Sequence, residues 1–278
     1  MNRSIPTTAR PGFTLIEVLV VIAIIAILAA LLLGGVMVFM GKGPEMKTKT
    51  EMSQLAVQIE KFKAKKGIYP PSQIVLRTRL MDYNQAIPQE AMSANVIATL
   101  WPNLPSSAVV QWVPGMGAGT SYVLDPDQCL VFFLGGPPNP AGGLLGFSTD
   151  PTNPVNPNTD REKWFDFEVG RLVQRDATKP FYSYNDGWRQ APYMYFSSGG
   201  KRDNGYVFFA SASIPITNGP YVQQTAPTVR YYNSSSFQLI SAGPDGQFGL
   251  GGAWTPGNTT PQGRDDVSNF HDKALGNP

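Results

Sequence analysis

Two groups of acidic residues in this chain have surroundings that suggest chemistry. The first is a single carboxylate, Glu17, at the head of residues 18–41, which carry no charge. A carboxylate in an apolar environment is costly unless a positive charge compensates it, so such an acid indicates a function. Cleavage between Gly12 and Phe13 would create a positive terminal amine at the same depth as Glu17. The sequence therefore offers both members of an ion pair.

The second group lies in the C-terminal part of the chain. Asp245 stands in a turn-like sequence, Ala-Gly-Pro-Asp-Gly at 242–246, and Asp265 and Asp266 follow after a glycine-rich loop. Ca²⁺ binds six to eight oxygen atoms at about 2.3–2.6 Å, and these carboxylates with nearby backbone carbonyls would supply several of them. From spacing alone, the simpler interpretation is a pair of solvated acids and an Asx-type turn at Asp245.

The rest of the sequence gives no pattern typical of an enzyme. Cys129 is the only cysteine and His271 the only histidine, so an intrachain disulfide and a Cys/His metal cluster are both excluded. The chain has no phosphate-binding loop and no dinucleotide fingerprint. Two of the C-terminal acids would suit glycoside hydrolysis, but nothing else indicates a sugar cleft. We predict that the protein is not an enzyme and that Cys129 is a buried apolar residue.

Two helical segments are predicted ahead of these acids. Residues 13–40 form a continuous apolar helix, and residues 41–44, Gly-Lys-Gly-Pro, are expected to weaken or end it. A second, amphipathic helix is predicted over 45–66, with Gly67 as its C-cap. Its apolar stripe, with three- and four-residue spacing, consists of Met52, Leu55, Ile59 and Phe62.

A β-containing head is predicted after the helices. Gly and Pro make up 53 of the 278 residues and only 15% are charged, which favours a loop-rich domain. The pattern predicts a short helix over 92–100 and a surface loop over 135–157. Predicted strands are 122–124, 128–134, 164–173, 193–196, 206–210, 230–232 and 237–241.

Residues 10–17 spell Arg-Pro-Gly-Phe-Thr-Leu-Ile-Glu, and this segment closely resembles the class III signal of type IV pilins and type II secretion pseudopilins. The resemblance implies that a prepilin peptidase cleaves between Gly12 and Phe13 and that the new amine of Phe13 is methylated. It also implies that Glu17 pairs with the Phe13 amine of a neighbouring subunit during assembly. The expected fold is α+β: a long hydrophobic helix runs into an amphipathic helix packed on an antiparallel sheet, with large loop insertions.

Two later segments extend the resemblance. The Gly-Ile-Tyr-Pro step at 67–70 and the Trp and Pro-Tyr-Met-Tyr residues within 184–195 are similar to pseudopilin patterns. The C-terminal turn and the later Asp-Asp pair resemble the segment that holds one calcium ion in type II secretion major pseudopilins. The resemblance implies a structural Ca²⁺ with Asp245, Asp265 and Asp266 as ligands. Residues 73–180 lie outside the resemblance.

The predicted organisation is a leader at 1–12, a transmembrane and polymerisation helix at 13–41, and a pilin-like domain at 42–278. Arg3 and Arg10 place the N-terminus in the cytoplasm, and the domain is expected in the periplasm. The predicted function is a structural subunit of a type II secretion pseudopilus. Its expected partners are copies of itself, minor pseudopilins, the prepilin peptidase and an inner-membrane assembly platform.

Several alternatives remain open from the sequence. One is a type IV pilin for adhesion, motility or DNA uptake, and another is a membrane-anchored envelope binding protein with a pilin-like anchor. An ordinary secretory signal or an incidental acid in a plain anchor would explain Glu17 less well. The side chains of the processed chain carry 20 basic and 20 acidic charges, so no overall basic field favours nucleic acid. Lysines of the second helix are expected on a solvated face, namely Lys47, Lys49, Lys61, Lys63, Lys65 and Lys66.

Overall fold

The computed structural model describes residues 14–200, 203–211 and 213–278, with only the backbone for 31–41. The chain divides into two compact units, Met1–Met46 and Lys47–Pro278. Helix α1, Leu15–Lys66, contributes to both units. The predicted interruption at 41–44 is therefore wrong, because Pro44 lies inside the helix. Local propensity is a weak prior that strong helix formers on both sides override.

In the second unit, α1 presents the predicted apolar stripe to the core. Met52, Leu55, Ile59 and Phe62 are all buried, as their three- and four-residue spacing requires. Gly67 follows the last turn with φ 80°, and its N–H donates to the Lys63 carbonyl at 2.8 Å. The predicted stripe and C-cap are both confirmed.

Twelve short strands, two further α-helices and four short 3₁₀ helices make up the regular structure of the described head. Helix α2 is Pro88–Leu100 and α3 is Pro126–Gly135. The strands are β1 Ile74–Arg77, β2 Ser121–Leu124, β3 Phe147–Ser148, β4 Arg161–Glu162, β5 Leu172–Val173, β6 Ser183–Tyr184, β7 Met194–Ser197, β8 Tyr221–Gln224, β9 Arg230–Tyr231, β10 Phe237–Ser241, β11 Gly252–Ala253 and β12 Val267–Ser268.

The strands form five small sheets. β10 is the centre of an antiparallel sheet between β12 and β7, and its five residues are all buried. A second three-stranded sheet places β8 between β11, which is parallel to it, and β9, which is antiparallel. The remaining pairs, β1–β2, β3–β4 and β5–β6, are antiparallel. The α+β fold, a long N-terminal helix followed by mainly antiparallel sheets, is confirmed.

Residues 128–134 are the clearest error of the sequence prediction, since they belong to α3 and not to a strand. Every residue of α3 is buried, so the sequence lacks the polar face that reveals a helix. A continuous apolar run of this length cannot be assigned by periodicity. The signal that favours a helix is Asp125-Pro126, a good N-cap residue followed by Pro at the first helical position.

Three other segments also differ from prediction. Residues 164–173 contain a 3₁₀ helix, Val169–Arg171, and only the short β5. The predicted surface loop at 135–157 includes β3, and residues 135–138 are buried. Residues 206–210 form no strand, and the backbone of Phe209 bonds a side chain instead. The Gln73 side chain accepts from the Phe209 N–H and donates to its carbonyl, both at 2.8 Å. The predicted strand at 237–241 is confirmed with the same bounds, and the elements predicted at 92–100 (a helix), 122–124, 193–196 and 230–232 are confirmed within four residues at their ends.

The lysines near the end of α1 do more than face solvent. Lys63 Nζ lies 4.2 Å from the centre of the Tyr69 ring, a cation–π arrangement. Lys65 Nζ lies 2.6 Å from a carboxylate oxygen of Glu162. Both contacts join α1 to other parts of the head, so part of the predicted solvated face is used in packing.

A buried ion pair joins α1 to the segment 73–180, which lies outside the family resemblance. The Arg171 guanidinium donates to both carboxylate oxygens of Glu51, and its Nη2 also lies 2.5 Å from the Asn185 carbonyl oxygen. The Arg171 side chain is 0% exposed and that of Glu51 is 12% exposed. Tyr193 donates a further hydrogen bond to Glu51 at 2.9 Å. Burial lowers the Arg171 pKa, but the hydrogen bond and charge of Glu51 outweigh it, so the pKa is raised overall.

Removing one member of this pair should be strongly destabilising. We expect Glu51→Gln to lower the free energy of unfolding by about 3–5 kcal/mol. The buried guanidinium would then keep only the half-exposed carboxylate of Glu168, 3.6 Å away, as a counter-charge. The matched control is Glu162→Gln, which breaks a pair whose side chains are 43% and 56% exposed and should cost about 0–1 kcal/mol. Urea unfolding of the full chain in detergent, followed by circular dichroism, measures both. Equal losses in the two variants would contradict the prediction.

Candidate functional site

The N-terminal candidate residues are only partly described. Gly12 and Phe13 lie outside the described residues, so the predicted cleavage and methylation site stays a prediction. Glu17 is described and is exposed, in the first turn of α1. It lies in a segment, residues 14–30, in which every residue is exposed. The large apolar side chains of this segment are Leu15, Ile16, Val18, Leu19, Val20, Val21, Ile22, Ile24, Ile25, Ile27 and Leu28.

Glu17 has a local role that the sequence interpretation missed. Its Oε2 accepts from the Thr14 backbone N–H at 2.9 Å and from the Thr14 hydroxyl at 2.8 Å. In return, the Glu17 N–H donates to Thr14 Oγ1 at 3.3 Å. This reciprocal pattern is a capping box, which satisfies backbone donors at the start of a helix. The spacing Thr-x-x-Glu is its sequence signal. Glu17 therefore caps the first turn of the helix and also places a carboxylate there.

No helix among the described residues combines the length and the apolar character needed to cross a membrane. The predicted span at 13–41 includes Phe13 and the side chains of 31–41, which are not described.

Asp245, Asp265 and Asp266 lie on neighbouring segments of the backbone, but their environments differ. Asp245 is the last residue of a 3₁₀ helix after β10, and Asp265 and Asp266 precede β12. Asp265 Oδ2 accepts from the Asp245 N–H at 3.1 Å, so these two residues are adjacent. Asp245 is exposed, and its Oδ1 accepts from the Gln247 N–H at 2.7 Å. The expected Asx-type turn is therefore present.

A close approach between the two segments requires a glycine at 243. A Cβ at Gly243 would lie 2.4 Å from the Asp265 carbonyl oxygen, and its φ of +68° also disfavours other residues. This contact holds the 3₁₀ helix that ends in Asp245 against Asp265. The proximity of these acids is thus built into the backbone.

Asp266 is wholly buried and lies beside a hydrophobic cluster that contains Tyr221, Phe248 and Trp254. Its Oδ2 accepts from the Gly249 N–H at 2.9 Å and from the Tyr221 hydroxyl at 3.3 Å. Its Oδ1 is buried without a hydrogen-bond partner. Burial raises the pKa of Asp266 to about 8, against the lowering effect of these hydrogen bonds. Burial also raises the pKa of Asp265.

The acids are a limited donor set for a cation. Within the ranges that the structure describes, no three His, Cys, Asp or Glu side chains are grouped so as to hold a metal ion. Two observations nevertheless suit a hard cation: the adjacency of Asp245 and Asp265, and the unpaired buried oxygen of Asp266. Backbone carbonyls would have to complete the shell.

Comparison with known proteins identifies a known motif in the N-terminal segment. Residues 8–33 match the family model described as the prokaryotic N-terminal methylation motif. This motif and the α+β fold are consistent with a pilin-like protein that carries a class III signal peptide. The motif implies processing by prepilin peptidase, a membrane-anchored N-terminus and pilus-like polymerisation. No curated protein and no solved structure gave a significant match to the chain.

The raised pKa of Asp266 predicts a pH dependence of stability. The unfolded carboxyl ionises near its ordinary pKa of 3.8, whereas the folded one holds its proton up to about pH 8. The folded state therefore binds more protons within this window, and the contribution of Asp266 to stability falls as pH rises through it. In EDTA, we expect the melting temperature of the unmodified chain to fall as the pH rises from 3.8 to about 8. The Asp266→Asn variant should not show this fall.

The control for this experiment is Asp160→Asn, which removes an exposed carboxylate. Its pH profile should follow that of the unmodified chain. If the Asp266→Asn profile also follows it, Asp266 is not protonated in the folded state and the prediction is wrong.

Proposed function

We propose that this protein is a structural subunit of a type II secretion pseudopilus. The observation that carries the proposal is the match at residues 8–33 together with the exposed apolar side chains of residues 14–30. These side chains find no cover within their own unit as described. Lipid before assembly, and the same helices of neighbouring subunits after it, would remove this surface from water.

The proposed assembly step begins with cleavage between Gly12 and Phe13. The new amine on Phe13, once methylated, would be a cation that pairs with Glu17 of the next subunit. Because the capping box uses Oε2 of Glu17, the carboxylate retains capacity for a further donor. The inner membrane would hold the subunit before assembly, with the head in the periplasm. Minor pseudopilins and an inner-membrane assembly platform would be its partners.

A pseudopilus is favoured over a surface pilus by two features of the head. The one cysteine, Cys129, is buried and free, so the chain lacks the disulfide that many type IV pilins use to staple their C-terminal loop. Asp245 and Asp265 are adjacent in the segment where the major pseudopilins hold calcium. We propose that a structural Ca²⁺ is held by these two carboxylates and by backbone carbonyls. Asp266 would join them only in its ionised form.

Three variants separate the charge of Glu17 from its capping role. Glu17→Ala removes both, and Glu17→Gln removes the charge but keeps a capping-box acceptor. Thr14→Val removes the hydroxyl contacts of the cap but keeps the charge. Charge pairing predicts that both Glu17 variants fail to assemble and that Thr14→Val still does. The chain is expressed in a host with a prepilin peptidase and an assembly platform, and filaments are recovered by shearing. Wild-type assembly of Glu17→Gln would exclude charge pairing.

The same cells distinguish the proposed class from the alternatives. Loss of exported protein from the culture medium when the gene for this chain is deleted, with surface filaments unchanged, supports the pseudopilus. Loss of surface filaments with export intact supports a type IV pilin. Normal levels of both, with Glu17→Ala indistinguishable from the unmodified protein, support an anchored envelope binding protein.

Calcium binding is tested by thermal unfolding of the full chain in detergent. We expect the melting temperature to rise with Ca²⁺ by mass action, because the ion binds the folded state. Asp245→Ala and Asp265→Ala should each abolish the rise, and the exposed control Asp160→Asn should keep it. No response to Ca²⁺ in the unmodified chain would remove the calcium proposal and leave the type IV pilin equally well supported.

A further inference from the structure

A groove in the head lies between α2, the end of β7 and residues 205–207. Its volume is about 560 Å³, within the range for ligand sites. α2 contributes Met92, Asn95, Val96 and Thr99, and their three- and four-residue spacing places them on one face of the helix. Between Met92 and Thr99 the helix rises by about 10 Å. This length matches about three residues of an extended chain.

Residues 205–210 are extended where they meet the groove. Gly205 and Val207 line the groove, and the segment contains neither turn nor bend. Its side chains alternate: Tyr206 is buried and Phe208 packs against the same hydrophobic cluster, whereas Val207 is 39% exposed. Alternation with a period of two is typical of a strand. The segment therefore has the shape of a strand, although it pairs with no strand of the described chain.

Gln73 shows which edge of this segment faces the groove. Its side-chain amide accepts from the Phe209 N–H and donates to the Phe209 carbonyl, both at 2.8 Å. Gln73 itself lines the groove. In an extended chain, the N–H and C=O groups of every second residue point to the same edge. The backbone groups of Val207 and Gly205 therefore point to the same edge as those of Phe209.

The backbone groups of these two residues are unpaired. Neither Gly205 nor Val207 makes a backbone hydrogen bond with any residue that the structure describes. Val207 is exposed and Gly205 is half-buried, so a partner can reach both. A bound peptide would continue at Val207 and Gly205 the pairing that Gln73 makes at Phe209.

The Ser72 hydroxyl is a further unpaired polar group of the groove. Ser72 is 6% exposed, and its side chain makes no hydrogen bond with a described residue. Its oxygen is nevertheless not fully enclosed by protein, so the surface that it keeps opens into the groove that it lines. A hydroxyl both donates and accepts. It therefore suits either polar group of a peptide bond.

The lining of the groove carries no charge. None of the residues that line it is acidic, basic or histidine. Ile68, Met92 and Val96 give it an apolar surface. A charged side chain placed there would lose its water without gaining a counter-charge, which is costly. The groove therefore complements an uncharged segment with apolar side chains.

We propose that this groove binds an extended, uncharged peptide of a partner protein, which adds as a strand beside residues 205–207. The peptide backbone forms hydrogen bonds with the N–H and C=O groups of Val207 and Gly205. One apolar side chain of the peptide packs against Met92 and Val96. Main-chain bonds supply affinity and the side-chain contact supplies selectivity, as in other cases of strand addition. This binding does not depend on the function proposed above.

The test is nuclear magnetic resonance of the full chain, labelled with nitrogen-15 at valine, in lipid nanodiscs, which leave no detergent to occupy the groove. The probe is the acetylated and amidated pentapeptide Thr-Val-Thr-Val-Thr, which is uncharged and favours an extended conformation. We expect a saturable shift of the Val207 amide signal, identified by its loss in Val207→Ile, with a dissociation constant of about 1 mM. The signal of Val169, which is 61% exposed and lies outside the groove, should not change.

Three altered peptides test the backbone pairing and the charge. N-methylation of a residue removes its N–H, and alternate residues of an extended peptide face opposite edges. One peptide is methylated at both valines and another at all three threonines, so each lacks the donors of one edge. We expect one of them to keep its binding and the other to bind about tenfold more weakly. Replacing both valines by aspartate should abolish binding, because the lining offers no counter-charge.

Two proline variants of the chain locate the pairing. Val207→Pro removes the N–H that would donate to the peptide, and we expect it to weaken binding about tenfold in calorimetry. Ala210→Pro is the matched control, because the Ala210 N–H belongs to the opposite edge. Both positions are exposed, and Ala210→Pro should bind as the unmodified chain does. The methylated peptides decide if Val207→Pro does not fold.

Three results would overturn the proposal. The first is no shift of the Val207 signal at roughly 10 mM peptide, tenfold above the expected constant. The second is equal binding of the two methylated peptides, which is incompatible with strand pairing. The third is a shift of the Val207 signal with protein concentration in the absence of peptide, which would assign the groove to a second copy of this chain.

Discussion

Burial of one face of α1 is the constraint on which the head depends. The stripe from Met52 to Phe62 belongs to the main hydrophobic cluster, which also contains α3 and residues of β1, β2 and β10. The five sheets of the head contain only two or three strands each, and such small sheets need an apolar surface to pack against. Arg171 and Glu51 add a bond of fixed geometry to this contact. Because Arg171 lies in the segment 73–180, the insertion is attached to the helix by charge as well as by apolar packing.

The sequence predicts best those features that depend on local pattern. The stripe of α1, Gly67 at its end and strand β10 follow from local pattern and turn chemistry alone. α3 does not, because its complete burial removes the polar positions that would show a helical period. The Phe209 segment fails for a different reason: its backbone partner is a side chain 136 residues away, which no local pattern indicates. Likewise, Glu17 is evident from its motif, whereas the burial of Asp266 arises from packing against Tyr221 and could not be inferred from spacing.

The two ends of the chain use their acids in opposite ways. Glu17 is exposed, and its carboxylate is shared with the first turn of a helix. Asp266 is enclosed by a hydrophobic cluster that contains Tyr221, Phe248 and Trp254. The exposed position of Glu17 keeps its carboxylate available to a partner, whereas burial disfavours the charged form of Asp266. An acid in the sequence is thus not by itself a ligand or an ion-pair partner, and its surroundings decide which form it takes.

The contact between Gln73 and Phe209 has a consequence for how copies of this chain meet. The amide of Gln73 occupies both the N–H and the carbonyl of Phe209, which are the two groups that a strand from another molecule would use. Exposed strand edges invite pairing between molecules. Here the Gln73 side chain occupies both groups in a segment that forms no strand of its own. Because both groups are already bonded, Phe209 offers no free backbone pair to a strand of another copy of this chain.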